Sequence, residues 1–271
     1  MPELPEVETT CRGIAPHLMG RRIDGVVVRE HRLRWPVAPQ LVYQMPGLGV
    51  RRISRRAKYL LLETDNGCLI VHLGMSGSLR VVPHNKQPDK HDHVDLVLDD
   101  GNCLRLRDPR RFGCMVWSDG KPTQHPLLAD LGPEPWDEKF SGEYLYRLAG
   151  KRKVAVKNFI MDAHTVVGVG NIYANEALFG AGIDPRRAAG RISKKRYQRL
   201  AQAIIDVLDA AIEQGGTTLR DFVNSDGEPG YFSLELKVYD REGDDCTNCG
   251  RPIKREVIGQ RSTFFCNRCQ R

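Results

Sequence analysis

The sequence predicts an α+β protein: an N-terminal antiparallel β-sandwich or barrel flanked by helices, a helical C-terminal half, and a four-cysteine metal-binding tail. Three observations predict it. Short β-branched or alternating segments separated by turn residues crowd residues 23–117. From about residue 142 the apolar spacing becomes helical. Four of the eight cysteines are gathered in two Cys-x2-Cys pairs between Cys246 and Cys269.

Each element has its own warrant. In residues 4–19, Val7, Cys11, Ile14 and Leu18 stand four, three and four apart, which is one face of a helix, and Gly20 is a natural stop. Segments 23–29, 58–63, 67–73, 94–99, 103–107 and 114–117 read as strands, parted by turn sequences such as Asp65-Asn66-Gly67 and Asp99-Asp100-Gly101. The Pro- and Gly-bearing stretch LGPEPW (131–136) suits a linker. The clearest helix covers 194–214, where Leu200, Ala203, Ile204, Leu208, Ala211 and Ile212 share a face. Ser193 is placed to cap its start and Gly215-Gly216 to end it. The expected division is a β-sandwich domain over 1–130, a linker over 131–145, a helical domain over 146–235 and a finger over 236–271.

A chain of 271 residues is long enough for two domains with ordinary cores. No apolar run approaches the ~20 residues that span a bilayer, so no membrane partner is expected. The opening MPELPEVETT is acidic where a secretory signal is basic and then apolar, so a cytoplasmic location is expected. A net charge of +7 suits a polyanionic partner. The distribution is more telling: RRISRRAK at 51–58 has five cations in eight positions, and 246–271 holds six Lys or Arg against one acid, Glu256.

Five motifs carry candidate chemistry. Cys246-x2-Cys249, sixteen residues, then Cys266-x2-Cys269 has the spacing of a zinc ribbon. Four thiolates close a tetrahedron and leave no open position, so the ion would be structural; Cys11, Cys68, Cys103 and Cys114 read as buried thiols. Between the pairs, Lys254, Arg255 and Arg261 are expected at a hairpin tip, as a solvated loop or a phosphate-contacting finger. Gly168-Val169-Gly170-Asn171 before a helix is either a tight turn or a phosphate cradle of backbone N–H groups. Asp108-Pro109-Arg110-Arg111-Phe112-Gly113 is either an ordinary turn over a buried Phe or a probe that wedges into a duplex. His72-Leu73-Gly74-Met75-Ser76-Gly77 offers Met75 as an exposed apolar tip or as a core methionine. At the N-terminus, trimming of Met1 would leave the secondary amine of Pro2 beside Glu3 and Glu6. An α-amine titrates near 7.7–8.0 against about 10.4 for lysine, so far more of it is neutral at pH 7.

Taken in order along the chain, these motifs resemble the bacterial formamidopyrimidine-DNA glycosylases, repair enzymes for 8-oxoguanine and ring-opened purines. Further matching stretches are Pro2 to Thr9, Arg56 to Leu60, Lys90-His91-Asp92-His93, Gly168 to Tyr173, Gly215 to Thr218 and Gln260 to Phe264. The resemblance implies a β-sandwich, a helix–two-turns–helix domain and a zinc finger holding one structural zinc ion, with no organic cofactor. It implies a monomer acting on double-stranded DNA that contains oxidised purines or abasic sites. It assigns the nucleophile to Pro2, the general acid/base to Glu3, a proton donor and phosphate ligand to Lys58, and assistance to the second elimination to Arg261. It implies that Met75, Arg110 and Phe112 fill the space of an everted base, Arg110 facing the orphaned cytosine. His91, Arg152 and Asn171 would hold phosphates; the family more often has Lys where this chain has Arg152. The loop Thr217–Tyr231 would cover the everted base.

Two rival readings are kept. An endonuclease VIII-type enzyme for oxidised pyrimidines shares the fold, but that branch typically has Gly where this chain has Leu4, and the Asp108–Gly113 loop resembles the purine branch. A non-enzymatic zinc-ribbon DNA-binding protein fits the tail and the charge equally well; only the N-terminus separates it.

Overall fold

The structure is a computed structural model that describes residues 2–215 and 236–271. The described residues fall into two compact units that part between Ala129 and Asp130.

The first unit opens with helix α1 (Leu4–Leu18). Pro5 stands in its first turn, where no intrahelical N–H is lost, and Glu3 and Glu6 form a reciprocal capping box. Eight strands follow: β1 (Ile23–Val28), β2 (Val50–Arg56), β3 (Tyr59–Thr64), β4 (Cys68–His72), β5 (Ser78–Pro83), β6 (Asp92–Leu98), β7 (Asn102–Arg107) and β8 (Cys114–Ser118), with the short helix α2 (Leu41–Gln44) between β1 and β2. They form two four-stranded antiparallel sheets, ordered β1-β6-β7-β5 and β2-β3-β4-β8. The helical face read from the sequence is the face that is buried. Val7, Cys11, Ile14 and Leu18 join Leu60, Leu62, Leu69 and Val71 of one sheet and Leu96, Leu104 and Leu106 of the other in one apolar core. Each such side chain contributes about 1.5–3 kcal/mol on burial.

The sequence reading missed strands β2 and β5. Both are edge strands, with one neighbour each. The other two edge strands, β1 and β8, were read from the sequence, so edge position alone does not hide a strand. In β2 the cation run 51–56 is the strand itself, with Val50 buried and Ile53 half-buried.

The second unit comprises α3 (Gly142–Ala149), α4 (Val156–Met161), α5 (Asn171–Gly180), α6 (Lys194–Glu213) and a hairpin, β9 (Lys254–Ile258) with β10 (Arg261–Phe265). Helix α5 is buried from Ile172 to Phe179 and is the hub of this unit. Helix α6 buries Tyr197, Leu200, Ala201, Ile204, Leu208 and Ala211. Its start differs from expectation: the Ser193 side chain makes no capping hydrogen bond, and the Ser193 carbonyl instead accepts from the N–H groups of Arg196 and Tyr197 at 3.0 Å each. Gly215 ends it at φ +78°, as a left-handed C-cap position requires. Among the described residues, no helix is long and apolar enough to cross a membrane.

Candidate active site

Pro2 and Glu3 are both buried at the head of α1. The Glu3 N–H donates to Glu6 Oε2 at 2.8 Å, so the capping box fixes the first turn on which the two residues stand. Lys58 lies in the two-residue turn between β2 and β3, after Ala57. Ala57 has φ +55°, a left-handed conformation that strains a residue with a Cβ. Such strain persists only where the surroundings enforce it, and here it sets the path of the backbone into Lys58.

His72, at the end of β4, is close enough to Lys58 to feel its charge. Burial first, then Lys58 and Arg34, push its imidazole down to about 4. The Gly74 N–H donates to His72 Nδ1 at 2.9 Å, which leaves the ring proton on Nε2. Arg34, Trp35, Tyr59, His72, Phe112, Cys114 and Leu127 line a cavity of about 240 Å³ beside this turn. Of these, Phe112 carried a site role from the sequence, His72 and Tyr59 stood in matched motifs, and Cys114 was read as a buried thiol. Arg34 and Trp35 carry no periodic or motif signal, and they reach the cavity through two backbone contacts with the end of the Phe112 loop: Arg34 N–H to Gly113 O at 3.2 Å, and a bridge between Trp35 and Cys114.

The two glycine-bearing loops meet. Gly74 has φ +65°, and a Cβ there would overlap the Phe112 carbonyl carbon and the Gly113 nitrogen. Only glycine lets the Met75 loop lie directly on the Phe112 loop. Buried Asp108 closes the latter: its Oδ2 accepts the Gly113 N–H at 2.7 Å, and its carbonyl accepts from Arg111 N–H at 3.2 Å. Phe112 is 41% exposed, which rules out the buried-Phe turn. Arg110 lies over its ring at 4.9 Å, and Arg111 pairs with Glu30 at 3.1 Å. Met75 is half-buried, neither the exposed tip nor the core residue that the sequence allowed. His91 precedes β6, and its carbonyl accepts the Asp108 N–H at 3.0 Å, so it adjoins the same loop.

In the second unit, Asn171 is the first residue of α5, after Gly168 at φ +83°. One Asn171 Nδ2–H donates to the Ser262 carbonyl at 3.1 Å. Lys157 Nζ, fully buried on α4, donates to the same carbonyl at 3.0 Å and to Thr263 Oγ1 at 2.7 Å. These bonds seat the residue next to Arg261, whose side chain is exposed. Gly259 (φ +57°) and Gln260 (φ +61°) make the two-residue turn before it, the conformation that matches strand twist in tight hairpins. The three-cation tip is corrected by this register. Arg261 flanks the turn, but Lys254 pairs with Phe265 and Arg255 with Phe264, towards the hairpin's base. Arg152 is exposed and lies over the Phe159 ring at 5.5 Å. Lys157 and Asn175, which accepts the Phe264 N–H at 2.8 Å, were not found from sequence. A lysine inside an apolar helix gives no sign that its partner lies 105 residues away. The expected cover, Thr217–Tyr231, lies outside the described residues.

The sulfur atoms of Cys246, Cys249, Cys266 and Cys269 all lie within 4.8 Å of one another. The Cys249–Cys266 pair is at 3.5 Å and the Cys246–Cys269 pair at 3.9 Å. A tetrahedral ion with zinc–sulfur bonds of about 2.3 Å needs sulfur–sulfur edges of about 3.8 Å. The donor set and its spacing therefore fit zinc. Cys11, Cys68, Cys103 and Cys114 are buried free thiols, and burial pushes their pKa values up to about 11, 12, 11 and 11.

The chain matches three family descriptions in sequence order. These are the formamidopyrimidine-DNA glycosylase N-terminal domain over residues 1–115, the formamidopyrimidine-DNA glycosylase H2TH domain over 131–223, and a zinc finger found in FPG and IleRS over 243–271. It is 59% identical over 271 residues to the formamidopyrimidine-DNA glycosylase of Syntrophotalea carbinolica and 60% identical over 271 residues to that of Methylococcus capsulatus, each alignment covering 100% of both chains. Its fold is similar to the crystal structure of the MutM (Fpg) protein from Thermus thermophilus, with a TM-score of 0.88, 38% identity, and coverage of 99% of this chain and 98% of that one. It is also similar to Lactococcus lactis Fpg in a complex with DNA containing an abasic site, with a TM-score of 0.91, 30% identity and 99% coverage of each chain. The chain belongs to the formamidopyrimidine-DNA glycosylase family of DNA repair enzymes.

Proposed function

We propose that this protein is a bifunctional DNA glycosylase and abasic-site lyase that removes 8-oxoguanine opposite cytosine and formamidopyrimidines from double-stranded DNA. The observation that carries the proposal is the pair Pro2-Glu3 at the capped head of α1, in a chain whose relatives are formamidopyrimidine-DNA glycosylases along their whole length. The Lactococcus lactis relative is bound to abasic-site DNA, and such DNA is the second substrate assigned here.

Once Met1 is removed, the Pro2 nitrogen carries a lone pair. It attacks the sugar anomeric carbon, and the glycosidic bond breaks with its electrons leaving on the base. Glu3 protonates the ring oxygen as the sugar opens. A secondary amine then forms an iminium, which has no N–H to lose and so keeps its positive charge. The adjacent carbon gives up a proton, its electrons move towards the iminium, and the 3′ phosphate departs. Lys58 donates a proton in this elimination and holds a phosphate. A second elimination releases the 5′ phosphate, and water hydrolyses the iminium to free Pro2. The Arg261 guanidinium clamps the leaving phosphate. Met75, Arg110 and Phe112 occupy the gap left by the everted base, and the exposed Phe112 ring beneath an Arg110 guanidinium suits that role. His91, Arg152 and Asn171 bind backbone phosphates. Cys246, Cys249, Cys266 and Cys269 hold one zinc ion, whose contribution is to fix the finger.

Borohydride trapping tests the chemistry. The mature protein, confirmed by mass to lack Met1, is expected to form a covalent adduct with abasic-site DNA; Pro2→Gly and an amine-blocked protein are not. An adduct that survives both changes refutes the Pro2 mechanism. Faster cleavage of a thymine glycol duplex than of an 8-oxoguanine duplex would assign the chain to the pyrimidine branch.

A further inference from the structure

Lys58 can serve a sugar bound to Pro2 only if the two are held in fixed relation, yet they stand on different elements. The Arg55 side chain joins those elements. Arg55 Nε donates to Glu8 Oε2 on α1 at 2.9 Å, and Arg55 Nη1 donates to the Ala57 carbonyl at 3.1 Å in the β2–β3 turn. The Arg55 side chain is only 10% exposed, so its ion pair with Glu8 is largely withdrawn from water. Glu8 is itself steadied by Arg12, whose Nε donates to the other oxygen at 2.8 Å. Burial raises the Glu8 carboxyl, and the Arg55 and Arg12 guanidinium groups more than reverse this, leaving it below its ordinary value. The carbonyl that Arg55 grips belongs to Ala57, the residue at φ +55° directly before Lys58. A strained turn needs such a grip to persist.

We infer that Glu8 and Arg55 are a positioning pair that locks the Lys58 turn to the helix bearing Pro2, and so govern the strand-cleaving elimination and not the formation of the iminium. The inference rests on the roles proposed for Pro2 and Lys58. Neither Glu8 nor Arg55 need touch DNA; they act through the Ala57 carbonyl.

The test uses the mature full-length chain and a duplex with a single abasic site, with two readouts: the borohydride-trapped fraction and the rate of strand cleavage. Glu8→Gln is nearly isosteric and removes the charge; Arg55→Lys keeps a cation but cannot reach both partners. Each variant is expected to slow cleavage on the order of ten-fold while the trapped fraction stays within about two-fold of wild type, since small misplacements of a proton donor are costly. Parallel loss of both readouts, or loss of neither, overturns the inference. If Arg55→Lys fails to fold, Glu8→Gln decides. If the wild-type protein gives no adduct, the Pro2 reading fails first and this inference with it.

Discussion

Truncating Phe112 to alanine should separate stability from function. The ring is 41% exposed, and Asp108, Gly113 and Gly74 hold the loop through contacts that do not involve it. Losing the Arg110 contact at 4.9 Å removes about 0.5–1 kcal/mol. The partial burial adds roughly half of the ~1.5–3 kcal/mol that a fully buried Phe contributes. The total is about 1–2.5 kcal/mol, or a fall in Tm of several degrees for a domain of this size. As a wedge in DNA the same ring would stack on a base, an interaction of about 1–3 kcal/mol. At ~1.4 kcal/mol per decade, excision should therefore fall roughly 5- to 150-fold in kcat/KM. Single-turnover excision of 8-oxoguanine opposite cytosine measures this. A preformed abasic site serves as control, because eversion is cheapest where no base must be unstacked. Excision should fall much further than cleavage of the abasic duplex. Equal loss on both substrates, or unchanged excision, would refute the wedge assignment.

Three further outcomes are expected. Asp95 is fully buried, with its two oxygens on Arg105 Nε and Nη2 at 2.9 and 2.8 Å; Asp95→Asn should cost about 3–5 kcal/mol in urea unfolding at pH 7. Burial raises that carboxyl, but Arg29 and Arg105 bring it below its ordinary value. Its stabilisation is thus present above the unfolded carboxylate range and lost as pH falls through the folded one, so wild type and variant should converge in acid; a constant gap would argue against the ion pair. His72, held down to about 4, should remain neutral by NMR through pH 5. Because the unfolded chain takes up that proton near 6.5, His72 weakens the fold as pH drops from there towards 4, and His72→Gln should flatten the acid decline of Tm; titration of His72 near 6.5 would contradict its environment. Chelation, or Cys266→Ala, should release one equivalent of zinc and unravel the finger, whose buried cluster of Phe179, Val238, Cys246, Ile253, Phe264 and Cys266 is too small to stand alone. A finger with unchanged dichroism after metal loss would disprove a structural ion.

Much of this molecule was legible in one dimension because the signals were local. Helical spacing placed α1 and α6, and turn-bounded β-branched runs placed six of the strands. Strand β2 escaped because four arginines within residues 51–56 mask its apolar positions, while nothing so local explains β5. The Arg111 and Ala57 backbones, at φ +57° and +55°, carry no compositional mark either; their strain follows from contacts made after folding.

By itself the sequence determined the periodic elements, the spacing of the cysteine pairs and the family, since each depends on residues close together or on ordered motifs along the chain. Only the tertiary structure decided that Phe112 is exposed, that Met75 is half-buried and that Gly74 lets their loops touch. It alone showed Arg55 linking Glu8 to the Lys58 turn, and buried Lys157 gripping the strand beside Arg261. Those are contacts between residues far apart in the chain, and a pattern read along one segment holds no record of which distant carbonyl or carboxylate will complete a buried cation.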